Sequence, residues 1–147
     1  MLFRSSIETF GQLPLADSSW QSLDVHQPLP DGPLAAEREA PRHQRFCTDL
    51  FGSLCPVTGQ PDWATLYVEL QDSPWHEARL LGLLLEQRGH TGFHESCIEG
   101  LFQRLSRERP EAQLAVYGRF TRRGGIDINP WRSTGHFELP DLRSPRQ

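Results

Sequence analysis

The sequence predicts an α+β fold: an antiparallel sheet with two helices packed on one face. Three observations point there. A run with the period of two spans 63–70, two stretches with helical spacing lie between 75 and 109, and two more alternating runs flank a Gly-Gly turn within 113–129. The 147 residues are enough for one modest core and too few for two full domains.

Residues 1–45 carry Pro14, Pro28, Pro30, Pro33 and Pro41 among scattered acids, and no apolar period persists. They are expected to form a loosely ordered connection, with a short strand near Met1–Ser5. Composition changes near Arg45–Phe46, so the compact domain is assigned to 46–147. Its first feature is Phe51–Trp63, where Pro56, Gly59 and Pro61 set the path of a loop around Cys55 and Asp62 follows seven positions later. Next, Ala64, Leu66, Val68 and Leu70 alternate with Trp63, Thr65, Tyr67 and Glu69 as in a half-buried strand. Asp72-Ser73-Pro74 ends it. A Leu-rich run from Trp75 to Arg88 predicts a helix closed by Gly89 and Gly92. A second helix fits Phe93–Arg109, with Cys97, Ile98, Leu101, Phe102 and Leu105 along one face and Pro110 as its stop. Strands then read over Gln113–Thr121 and Gly125–Asn129, joined by the turn Arg122-Arg123-Gly124-Gly125. The tail from Ser133 is read as irregular. So few strands leave open edges, which predicts association with another copy or a partner.

Composition narrows the function. The formal net charge of -4 gives no basic excess for nucleic-acid binding. All 15 cationic side chains are Arg, which excludes a lysine Schiff base or a lysine phosphate clamp within this chain. No stretch approaches the roughly 20 apolar residues of a membrane span, and the N-terminus lacks the basic and apolar regions of a signal peptide. A cytoplasmic location is expected. Cys47, Cys55 and Cys97 are odd in number and lack paired spacing, which speaks against a disulfide framework or a zinc site.

Four constellations can carry chemistry. A thiol in a rigid loop beside a carboxylate, Cys55 with Asp62, is the minimum for covalent catalysis with proton transfer; the same loop would also house an inert buried cysteine. His94-Glu95 opens the second helix, where exposed N–H groups favour a carboxylate. That pair is either a cap or a ligand-binding acceptor. The Arg122–Gly125 turn offers forked donors and an approachable backbone to phosphate, and is equally an ordinary hairpin turn. Asp127–Arg132 reads as a strand end tied down by its side chains.

Three segments together, Ser53-Leu-Cys-Pro-Val-Thr-Gly-Gln-Pro-Asp-Trp63, Phe93-His-Glu-Ser-Cys97 and Phe120-Thr-Arg-Arg-Gly-Gly-Ile-Asp-Ile-Asn-Pro-Trp-Arg-Ser133, resemble the NADPH-dependent 7-cyano-7-deazaguanine reductases (QueF type) of queuosine biosynthesis. The resemblance spans about residues 46–133 and is nearest the C-terminal half of the two-module form. It implies the tunnelling fold, in which such sheets assemble into barrels. It also implies that Cys55 attacks the nitrile of 7-cyano-7-deazaguanine to form a thioimide, that Asp62 handles protons, and that His94 and Glu95 bind substrate. Arg123 and Gly124 match positions that contact NADPH. One departure stands out: the family's Glu-Ser-Lys-Ser-Leu-Lys-type nucleotide motif is replaced here by His76-Glu-Ala-Arg-Leu-Leu81. The resemblance therefore implies a half-enzyme, completed by a homo-oligomer or by a partner carrying the N-terminal module. The alternatives are an amidinotransferase-like relative that uses the same thioimide without NADPH, and a non-catalytic barrel subunit.

Overall fold

The computed structural model describes residues 20–23, 42–73 and 75–138. The strand expected near Met1–Ser5 and most of the 1–45 connection lie outside them. Strand β1 (Gln21–Ser22) is followed by β2 (His43–Leu54), β3 (Pro61–Gln71), helix α1 (Glu77–Glu86) with a 3-10 turn at Gln87–Gly89, α2 (His94–Glu108), β4 (Gln113–Arg123), β5 (Ile126–Ile128) and β6 (Trp131–Ser133). The sheet order is β1-β2-β3-β4-β5, with β6 also on β4. All the long strands pair antiparallel, and the two-residue β1 adds a parallel pairing to β2 that makes the sheet mixed.

The alternation read from the sequence places the core. Ala64, Leu66, Val68 and Leu70 of β3 and Leu114, Val116 and Phe120 of β4 share one buried cluster with Leu80, Leu84, Ile98, Leu101 and Leu105 of the helices. Both helices therefore cover the same face. On the opposite face Cys47, Tyr67 and Tyr117 cluster, with Trp20 against them. Gly118 lies where Ile98 crosses β4: a Cβ there would meet Ile98 Cδ1 at 2.8 Å and Phe120 Cε2 at 3.0 Å. Gly118→Val is expected to overpack this crossing and cost about 1–3 kcal/mol. The check is a lower midpoint of thermal unfolding, and an unchanged midpoint would mean that Ile98 moves aside freely.

The helices start and stop within about two residues of their expected bounds. β2, by contrast, was not anticipated from the sequence, and its last residues, Phe51–Leu54, were read as part of the Cys55 loop. β5 and β6 form one returning strand along β4, interrupted at Asn129-Pro130, where proline has no N–H to give the ladder. Gly118 N instead donates to the Pro130 carbonyl at 3.0 Å.

Two bulges aim the side chains of the site. In β2, Thr48 faces Leu66 and Phe51 faces Ala64, so Asp49 and Leu50 together oppose one residue of β3. The extra residue reverses the alternation, and Phe46 before it and Phe51 after it enter the same core. In β4, Phe120 pairs with Ile128 and Arg123 with Ile126, again two residues against one. Arg123 is thereby turned to the side of Phe120, the helix-covered side.

Candidate active site

The loop Cys55–Gln60 joins β2 to β3 and is closed at both ends: Cys55 N donates to the Gln60 carbonyl at 2.8 Å and Gly59 N to the Cys55 carbonyl at 2.9 Å. Gly59 has φ of 71°, a left-handed conformation that glycine adopts without a Cβ penalty. The strand end is laced to the segment before α2, since Leu54 N donates to the His90 carbonyl and Gly92 N to the Leu54 carbonyl. This lacing brings the start of α2 against the loop.

Within that frame Cys55, Asp62, His94 and Arg123 meet. Asp62 projects from β3 and is buried, with only 3% of its surface exposed. Arg123 Nη2 donates to Asp62 Oδ1, and Nη1 of the same guanidinium donates to Cys55 Sγ at 3.7 Å. His94 Nε2 stands 3.6 Å from Asp62 Oδ2, close enough to pair as an ion but too far for a hydrogen bond. The His94 ring is held edge-on to Phe120, centroids 4.5 Å apart.

The three cysteines are in different electrostatic states. The Cys55 thiol is lowered to about 7, first by the Thr58 hydroxyl, then by the backbone N–H groups of Thr58 and Val57, and also by Arg123. Burial raises Cys97, and burial with Asp49 nearby pushes Cys47 up to about 12. Near neutral pH Cys55 is therefore the one poised as a thiolate. All three are free thiols.

Thr58 is the site residue that sequence analysis missed. Its Oγ1 accepts from Gln60 N at 3.3 Å, which leaves its own proton for the sulfur. The signal was Cys-Pro-x-Thr, a hydroxyl three residues after the thiol in a turn, where such side chains bond back to the chain. Thr58→Val should raise the pH midpoint of Cys55 alkylation by about one unit, since the largest donor to the thiolate is lost. Iodoacetamide rates measured from pH 5.5 to 9.5 test it; an unmoved midpoint would leave the backbone N–H groups as the main cause.

Glu95 takes a different direction. It sits exposed in the first turn of α2 and lines an open cavity of about 630 Å³ between α2 and β6 with Glu99, Gln103, Trp131 and Arg132. Arg132 Nε pairs with Glu99 at 2.6 Å, and Arg122 Nε with Asp127 at 2.6 Å, so the Asp127–Arg132 segment is anchored from both ends. Gly124 and Gly125 have φ of 56° and 78°, and nothing lies within 4 Å of a Cβ at either. Beside Arg123 this turn is exposed and open. The window 76–81 offers no such opening among the described residues: it forms the start of α1, Leu80 and Leu81 are in the core, and Arg79 is paired with Glu108 at 3.0 Å. Among the described residues no cluster of His, Cys, Asp or Glu is placed to hold a metal ion, and no helix is long and apolar enough to cross a membrane.

Comparison with known proteins places the chain in a family. Residues 61–138 match the family model described as QueF-like protein. An NADPH-dependent 7-cyano-7-deazaguanine reductase of Burkholderia multivorans is 41% identical over 146 residues, covering 94% of this chain and 53% of that protein. The protein of the same name from Burkholderia thailandensis is 44% identical over 125 residues, covering 84% of this chain and 46% of its own length. The chain spans about half the length of the curated relatives it matches. A solved structure, the archaeosine synthase QueF-Like in the apo form, superposes with a TM-score of 0.57 over 67% of this chain and 99% of its own, at 16% identity. That likeness concerns the fold.

Proposed function

Because the chain belongs to the QueF-like family, we propose that it is a nitrile reductase, or half of one, converting 7-cyano-7-deazaguanine to 7-aminomethyl-7-deazaguanine for tRNA queuosine biosynthesis. The observation that carries the reading is the single guanidinium of Arg123 reaching both the lowered thiol of Cys55 and the buried carboxylate of Asp62. The names of the Burkholderia relatives support the substrate and NADPH as the reductant.

In this reading Cys55 thiolate adds to the nitrile carbon. A C–S bond forms, one π bond of the nitrile breaks, and its electron pair goes to nitrogen. The proton released by the thiol ends on that nitrogen by way of Asp62, giving a neutral thioimide. A nitrile accepts hydride poorly, and the thioimide accepts it better. His94, with Nε2 3.6 Å from the second Asp62 oxygen, binds substrate beside the carboxylate. Glu95 binds the guanine-like edge of the base, where two N–H donors suit a carboxylate. NADPH, when bound, would supply the two hydrides, and Arg123 and Gly124 would hold its phosphate end. Between the two reductions the C–S bond breaks, its electron pair returns to Cys55 as thiolate, and protons delivered to nitrogen complete the free amine.

The remainder of the site comes from another module, either a second copy or a partner of the kind that makes up the other half of the relatives. Two observations support this: the window 76–81 is built into the core, and Val57, Phe93 and Ile126, flanking Cys55, His94 and Arg123, are 78%, 58% and 69% exposed. Three cysteines kept as free thiols suit the cytoplasm.

The test is the intact mass of the protein after incubation with 7-cyano-7-deazaguanine and no NADPH. The expected result is a gain equal to the nitrile base, formed by the chain alone or once an N-terminal module from a relative is added. Failure in both settings would sink the reading. If the adduct forms but NADPH is not consumed in the completed assembly, the amidinotransferase-like alternative takes its place.

A further inference from the structure

The face of the sheet away from the helices carries a buried cation without an anion. Arg119 of β4 is only 5% exposed, and among the described residues neither its Nε nor its Nη1 has a hydrogen-bond partner. A guanidinium keeps its proton, so this group cannot escape the cost of burial by becoming neutral as a lysine can. Its neighbours do not supply the missing acceptors. Thr65 faces Arg119 across the β3–β4 ladder, but its hydroxyl donates to Asp49 Oδ1 at 2.6 Å. Glu69, further along the same face, is held by His43 at 2.6 Å and Arg45 at 3.2 Å. The Tyr117 ring, its centroid 6.0 Å from the guanidinium carbon, stands at the outer limit of a cation–π contact. Tyr67, paired with Tyr117, is near enough to feel the Arg119 charge, yet burial pushes its phenol up to about 12, so its hydroxyl remains a donor.

We propose that Arg119 is the centre of a binding site for a small oxyanion of the phosphate or sulfate class, on the side of the sheet opposite the active site. A buried charge is tolerated when it is paired, and an anion with several acceptor oxygens can take more than one N–H of the same planar group. The Thr65 and Tyr67 hydroxyls lie on the same face, on neighbouring rungs. Successive strand residues point to opposite faces. Arg119 therefore stands directly behind Phe120, whose ring holds His94 on the helix side. The sheet itself separates this cation from Cys55 and Asp62.

The experiment follows the thermal unfolding midpoint of the full chain in chloride and with inorganic phosphate or sulfate at matched ionic strength, beside calorimetric titration of phosphate into the folded protein. Arg119→Met removes the charge and keeps much of the length; Arg119→Lys is the second variant, should methionine not fold. The unmodified protein should show a saturable heat of binding and a midpoint raised by roughly 3–6 °C at ten times the dissociation constant. Arg119→Met should show neither, and Arg119→Lys should bind more weakly, since one ammonium lacks the planar set of donors. Both anions strengthen apolar burial in any protein, so the readout is the difference between the unmodified chain and the variant. In chloride alone Arg119→Met should be at least as stable as the unmodified protein, because an unpaired buried cation has gone. Phosphate that gives no heat, or that raises all midpoints alike, would overturn the site. A midpoint that rises with protein concentration and ignores phosphate would put a carboxylate of another copy on Arg119, and would overturn it as well. Neither the nitrile nor NADPH enters these measurements, so their outcome is separate from that of the adduct experiment.

Discussion

Cys55→Ala is expected to abolish adduct formation completely and to lower nitrile turnover by on the order of 10³-fold or more, while the protein still binds the base reversibly. The size of the loss follows from the chemistry. Without sulfur no thioimide forms, and what remains is direct hydride attack on a nitrile, which no residue of the site assists. The fold should survive. The loop is closed by the backbone bonds of Cys55 with Gln60 and Gly59, which alanine keeps, and by Gly59 in its left-handed conformation. Neither Cys47 nor Cys97 can stand in, since burial keeps both thiols protonated. The measurement is intact mass beside equilibrium binding of the base. An adduct in Cys55→Ala would move the nucleophile elsewhere, and lost binding with no loss of fold would mean that the sulfur holds the base as well as attacking it.

Much of the fold was legible because the helix-side faces of β3 and β4 are apolar at every second position, from Ala64 to Leu70 and from Leu114 to Phe120. A pattern that clean reads the same in isolation as in the sheet. β2 was not legible for two physical reasons. The bulge at Asp49-Leu50 shifts the phase, so Phe46 and Phe51 point the same way though five residues apart. The opposite face is also buried, carrying Cys47 against Tyr67, so polar and apolar positions never alternate cleanly. No glycine announces the bulge. Part of β2 was therefore read as the approach to a loop.

The site divides along the same line. Cys55 and Asp62 sit in one short segment, and His94 opens a helix that could be read from its own spacing, so these residues stood out singly. Their meeting could not be read. It depends on Leu54 bridging to Thr91 and on the β4 bulge that swings Arg123 inward. Arg123 was accordingly expected at the nucleotide, and in the structure its guanidinium donates to Cys55 and Asp62. Glu95, one residue from His94, lines the cavity between α2 and β6, because successive helical residues point about 100° apart.

Asp62→Asn carries the second large effect. General acid–base groups contribute about 10²–10⁴-fold, and the loss is expected in that range because the amide can neither take the thiol proton nor deliver it to nitrogen. Two consequences separate proton handling from simple packing. Asparagine has nearly the shape of the carboxylate it replaces, and Arg123, partly exposed, can turn to water, so stability should change little. The thiolate of Cys55 also loses a neighbouring negative charge, so its alkylation midpoint should stay at about 7 or fall below it. A variant with a normal or lowered thiol and yet slow capture would place the defect in proton delivery. Unimpaired turnover would assign Asp62 the sole task of holding Arg123 and His94 in place. A rise in the midpoint would mean that the carboxylate, by fixing Arg123 over the sulfur, does more for the thiolate through the cation it positions than it takes away through its own charge.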